Sequence, residues 1–183
     1  MRRWSRRSRH LLLVLHYVTS VGWLGVGFCQ LTLNLVALTT GEALLRHHSH
    51  EIAHVLDRWL LTPLALGGAV TGILLAVRST WGLLRYWWVV VKLALTVALL
   101  IFTPVWLGGW VNEAIAATAA GAPGPAYSGV RADLLAGSVS VLTTLVVIVS
   151  VSVVKPWGRI RRRAVRAGPK PPRHWSATVS PRA

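Results

Sequence analysis

At 183 residues the chain has the length of one or two average domains, but only 14% of it is charged and 54% is apolar. Its mean hydropathy is +0.54, and four apolar runs approach or exceed the roughly 20 residues that cross hydrocarbon, which excludes an ordinary soluble domain. Backbone in lipid must satisfy its own hydrogen bonds, so such runs are helices or a closed barrel. They are too long and continuous for barrel strands, which alternate over roughly 10 residues. The expected fold is all-α: a polytopic four-transmembrane-helix bundle.

Residues 1–10 carry five arginines and read as a basic cytoplasmic lead. Helix one is expected over about residues 11–38. The lone cysteine, Cys29, lies inside it, so no intrachain disulfide can form. Val26-Gly27-Phe28-Cys29 is a poor lipoprotein site because Phe28 is bulky. No A-x-A-like site follows, and the run reads as a retained helix. Gln30, Thr32 and Asn34 on this helix are expected to face protein.

Residues 39–51 read as a polar loop with a histidine cluster, and helix two as about residues 52–77. Gly68 and Gly72 form a GxxxG face, suited either to packing within the bundle or to a homo-oligomer. A turn at residues 78–82 leads to helix three, about residues 83–111, and Pro63 and Pro104 should kink helices two and three. Residues 112–131, rich in Ala, Gly and Pro, read as a loop with room for a short surface helix. Helix four is expected over about residues 134–154. The tail, residues 155–183, holds nine basic residues, five prolines and no acid, a composition expected to be disordered.

Charge orients the bundle. The lead, the turn with Arg78 and Arg85, and the tail hold 16 of the 20 Lys and Arg, so both termini are expected in the cytoplasm. The five carboxylates, Glu42, Glu51, Asp57, Glu113 and Asp133, all read to the opposite side. Trp87 and Trp88 at one end of helix three, and Trp106 and Trp110 at the other, are spaced as interfacial belts. The partners expected are the lipid bilayer and anionic lipid at the tail, at about 1 kcal/mol per basic residue. The +15 charge is accounted for in this way and does not point to nucleic acid. The expected location is the bacterial cytoplasmic membrane.

Ionisable groups within hydrocarbon are costly, by roughly 2.5–3.5 kcal/mol for Lys at a helix centre, and so are functional candidates. His16 and Lys92 both sit a turn or so inside the cytoplasmic face, where they could meet across a helix pair. The alternatives are a neutral His16 bonded to a neighbour such as Ser20, and a Lys92 that snorkels to the headgroups. No carboxylate is expected at this depth, so Lys92 otherwise needs an external anion.

Leu15-His16 with Gly22, Trp23 and Gly25, together with Trp87-Trp88-Val89-Val90-Val91-Lys92, resembles helices one and three of the HemJ-type protoporphyrinogen oxidases. The string Trp81-Gly82-Leu83-Leu84-Arg85-Tyr86-Trp87-Trp88 through Thr96 is more similar to actinobacterial four-helix membrane proteins of a domain-of-unknown-function family near the CopD-like copper-resistance proteins. The HemJ resemblance implies a haem b site with His16 as iron ligand and Lys92 beside a propionate. This chain departs from it: helix three has no embedded histidine, and Phe102-Thr103-Pro104 stands where relatives often have one.

His50-Glu51-Ile52-Ala53-His54 matches the H-E-x-x-H pattern, in which two histidines one helical turn apart hold Zn and the glutamate acts as general base. Glu113 or Asp133 would supply a third ligand for a metallopeptidase. Simple Zn or Cu binding by His47, His50 and His54 and a silent solvated loop are the other readings. The two candidate sets lie at opposite faces and no catalytic constellation shares one depth. The sequence therefore favours a binding or structural membrane protein over an enzyme.

Overall fold

The computed structural model describes residues 5–78, 83–121 and 123–154. Four helices account for nearly all of them: α1 (Arg6–Thr39), α2 (Ala43–Arg78), α3 (Trp87–Thr118) and α4 (Tyr127–Val154). Each is long and apolar enough to cross a membrane, and no strand occurs among the described residues. α1 packs along the whole of α2 and against α4, while α3 packs against α2 and α4. The result is a ring of antiparallel neighbours.

The helices outrun the apolar segments that predict them. Residues 39–51 are not a loop: after a short link at Thr40–Glu42, α2 begins at Ala43 and carries all four clustered histidines. The reason is local. Ser49, His50 and Ala53 form a buried face against the bundle, and the Ser49 hydroxyl donates to the Leu45 carbonyl within the helix. The loop expected at residues 112–131 shrinks likewise, because α3 continues to Thr118 and α4 starts at Tyr127. Helix three starts four residues late, at Trp87. The turn at 79–82 and the tail lie outside the described residues.

Each proline sits at or beside a widened helical turn. Pro63 follows a wide turn at Asp57–Leu61, where the Thr62 amide bonds Asp57 five residues back. Pro104 lies inside a second, at Thr103–Leu107, where the Gly108 amide bonds Thr103. A proline has no N–H to give, and widening the turn re-pairs the carbonyls around it. The two wide turns help to frame the same part of the interior.

Two cores are stacked along the bundle. One joins Trp23, Val26, Leu61, Ala65, Leu99, Val141 and Leu145. The other joins Val111, Ala114, Tyr127, Val130 and Leu134 at the end where α1 meets α2. Side-chain hydrogen bonds cross between helices at several levels, each worth on the order of 1 kcal/mol in a membrane. The outside is apolar, with Val14, Val21, Leu66, Ile101 and Val146 exposed.

Gly137 is where α4 comes closest to α3: a Cβ there would stand 2.9 Å from Leu107 Cδ1 and 3.1 Å from Trp110 Cζ3. Gly137→Leu should lower the thermal midpoint in detergent, at a cost of about 1–3 kcal/mol from overpacking. Gly25→Leu, with nothing within 4 Å, should leave it unchanged.

Candidate functional site

Polar side chains gather at three levels. At the end nearest Arg78, His16 of α1 packs on the GxxxG face of α2. A Cβ at Gly72 would lie 3.0 Å from His16 Cε1, and Gly68 faces Thr19 and Ser20. The small residues thus serve contact within the chain, and α1 fills the face a second copy would need.

The partner of His16 is Thr71, rather than Ser20 on its own helix. His16 Nδ1 lies 3.0 Å from Thr71 Oγ1, whose hydroxyl donates to the Gly67 carbonyl at 2.6 Å. With its proton used there, Thr71 accepts, so His16 holds its proton on Nδ1 and keeps a lone pair on Nε2. Lys92 is half-buried, and its charge is close enough to act on His16. No carboxylate pairs with it among the described residues.

A haem would need a porphyrin-sized space beside His16 Nε2. The best-formed cavities among the described residues are at another level, each with room for about one water molecule. The His16 ring packs against Gly72 and Thr71 of α2. This packing lends no support to a haem on His16.

At the opposite end, the H-E-x-x-H string points three ways. His50, 2% exposed, places Nε2 2.9 Å from the Tyr127 hydroxyl and meets that ring edge-on, while its Nδ1 is buried without a partner. Glu51 is exposed and binds His48 Nδ1 at 2.8 Å, with His47 Nε2 at 3.5 Å. His47 Nδ1 meets Thr118 Oγ1 at 2.9 Å, and that hydroxyl donates to Ala114. This repeats the His16–Thr71 arrangement. His54 turns inward instead. Among the described residues no three His, Cys, Asp or Glu side chains stand together as a metal would need, so His47, His50 and His54 are not gathered around one point.

The third level lies between these two, and no motif marks it in the sequence. Gln30 and Asn34 of α1, His54 and Asp57 of α2, and Ser138 of α4 line a small interior cavity, closed by Leu107 and Gly108 of α3. A second cavity shares Gln30, Asp57, Leu107 and Ser138 and adds Thr103. Gln30 Nε2 donates to the Ala53 carbonyl at 2.8 Å, which leaves its amide oxygen unused by that bond. Asn34, 6% exposed, donates from Nδ2 to Ser138 Oγ at 2.7 Å, and its Oδ1 is buried without a partner. Thr32, expected to face protein with them, is exposed and bonds its own helix at Phe28.

Asp57 stands in both cavity walls, half-buried, with no hydrogen bond or ion pair to its carboxylate among the described residues. His54, one turn earlier, is near enough to act on it electrostatically. Asp57 belongs to the wide turn Asp57–Leu61, and Thr103 and Leu107 bound the other. Such turns are frequent at functional sites. The signal in the sequence was a carboxylate within an apolar run, six residues before Pro63.

Comparison with protein-family models, with curated proteins and with solved structures gave no match. The resemblance drawn from helices one and three therefore rests on the motif residues alone.

The His50–Tyr127 pair supplies a direct test of the end nearest the α1–α2 link. Tyr127→Phe removes the one partner of a buried imidazole and should cost about 1–3 kcal/mol, read as a lower thermal midpoint. His48→Ala, at an exposed position, should leave the midpoint within error.

Proposed function

We propose that this chain is a multi-pass protein of the bacterial cytoplasmic membrane, both termini inside, that binds a small polar ligand in the outer half of its bundle and is not an enzyme. The orientation is supported by the 16 basic residues on the expected inner side. The depth of the pocket follows from helix length. Arg78 to Asp57 along α2, and Trp87 to Leu107 along α3, are each about 30 Å, one hydrocarbon thickness. Asp57 and Leu107 share a cavity wall, and Trp59 and Trp106 are exposed at that height, as an outer aromatic belt would be. The segment Ala43–Leu56 then rises about 21 Å beyond the bilayer, carrying the histidines into water.

The observation that carries the reading is Asp57 itself. A carboxylate half-withdrawn from water without a partner is held at a cost in stability, which makes it a functional candidate. The amide oxygens of Gln30 and Asn34 add unspent acceptors in the same wall. Catalysis has less support: the imidazole of His50 is committed to Tyr127, and Glu51 is committed to His48 and His47 at the surface.

A residue kept for binding at the expense of stability should betray itself when replaced. In detergent at neutral pH, with choline as the only added cation, Asp57→Asn should raise the thermal midpoint, by on the order of 1 kcal/mol. A fall of that size would mean that Asp57 holds the bundle together, and the binding reading would be lost. The orientation has its own check. On a Cys29→Ser background, Ser128→Cys should react with a membrane-impermeant maleimide in spheroplasts, and Ser5→Cys only after permeabilisation.

A further inference from the structure

The chemistry of the pocket narrows its ligand, given the binding reading above. Beside the His54 imidazole and the Ser138 hydroxyl proton, the open groups in the wall are oxygen acceptors. Asp57 offers a carboxylate, Asn34 a buried amide oxygen with no partner, and Gln30 an amide oxygen turned away from its donating nitrogen. The orientation of Gln30 is fixed by its partner, because a carbonyl can only accept. Ser138 Oγ already accepts from Asn34 and keeps a second lone pair. An anion would meet only repulsion from Asp57. A neutral donor would leave the carboxylate charge unbalanced.

Size and charge then decide. The cavity has room for about one water molecule, which excludes an organic ammonium of any bulk and admits a bare alkali ion no larger than water. A single carboxylate lines the two cavities, and no cationic Lys or Arg does. One positive charge makes the site neutral, whereas a divalent ion would leave a net charge where the dielectric is low. Hard oxygen donors without sulfur match this class. The only titratable side chain besides Asp57 in either wall is His54; α1, α3 and α4 contribute none.

We propose that Asp57, Asn34, Gln30 and Ser138 form a binding site for one small monovalent cation of about sodium size. Asp57 neutralises the ion. Asn34 and Gln30 replace part of its hydration shell, and Ser138 ties α4 to the site through Asn34. Occupancy would relieve the charge of Asp57 and the orphaned oxygen of Asn34 together, so the ion also clamps α1, α2 and α4.

The test is thermal unfolding of the purified full chain in detergent, at one fixed pH and constant ionic strength. Sodium, lithium, potassium, calcium and magnesium chlorides are each exchanged against choline chloride. Sodium should raise the midpoint in proportion to the logarithm of its concentration, by about 5–10 °C at a hundred times the dissociation constant. The rise should vanish in Asp57→Asn. In Ser138→Ala, which keeps the carboxylate, half of the rise should require several-fold more sodium. Equal midpoints in all salts would overturn the cation site. If Asp57→Asn were still more stable than the parent in choline, the binding pocket would stand with a different ligand. A sodium rise that persists in Asp57→Asn, or one matched by calcium or magnesium at equal concentration, would also overturn it.

Discussion

A helix bundle in lipid has no solvent to complete its polar groups, so each donor and acceptor must find a partner within the chain or be left for something else. Most of this structure obeys that constraint in a visible way. Threonines 19, 32, 71, 103 and 118 return their hydroxyls to their own helix carbonyls. Two of them, Thr71 and Thr118, then accept from a histidine on a neighbouring helix. The proline turns widen instead of breaking, and recover their amides at five-residue spacing. Against that background three buried polar atoms remain open among the described residues, Trp23 Nε1, His50 Nδ1 and Asn34 Oδ1, and the last of them lies in the cavity wall that Asp57 shares.

The pocket is placed by packing as much as by polarity. Below it, the core of Trp23, Val26, Leu61, Leu99 and Leu145 separates it from the His16–Lys92 level by a layer with no charged side chain. Above it, Val111, Ala114, Val130 and Leu134 close the bundle under the His50–Tyr127 pair. The site is thus held between two apolar plugs. A continuous relay across the bundle is not what these residues build. The arrangement suits a ligand that enters from one side and fixes the helices it touches.

The architecture was legible because hydrocarbon thickness sets segment length: the four helices follow from four apolar runs. Their ends were not, since residues 43–51 and 127–133 are polar enough to read as loop. They become helical only because Ser49, His50 and Tyr127 pack inward. Lys92 was legible as an ion in an apolar run, and it is half-buried in α3. The H-E-x-x-H match carried no such weight. Spacing on one helix says which side chains share a face, but not that Tyr127, 77 residues away, occupies one of them. Asp57 was assigned to the outer face with the other carboxylates. Its inward register depends on the wide turn before Pro63, which no residue periodicity reveals.

The central claim is that the Asp57 carboxylate, without a hydrogen bond or ion pair among the described residues, faces an exchangeable ion. Infrared difference spectroscopy of the protein in lipid, exchanging sodium for choline on an attenuated-total-reflection crystal, reads that carboxylate directly. The account predicts a carboxylate band that shifts with sodium and disappears in Asp57→Asn. A spectrum in which no Asp57-dependent band responds to the exchange would contradict it.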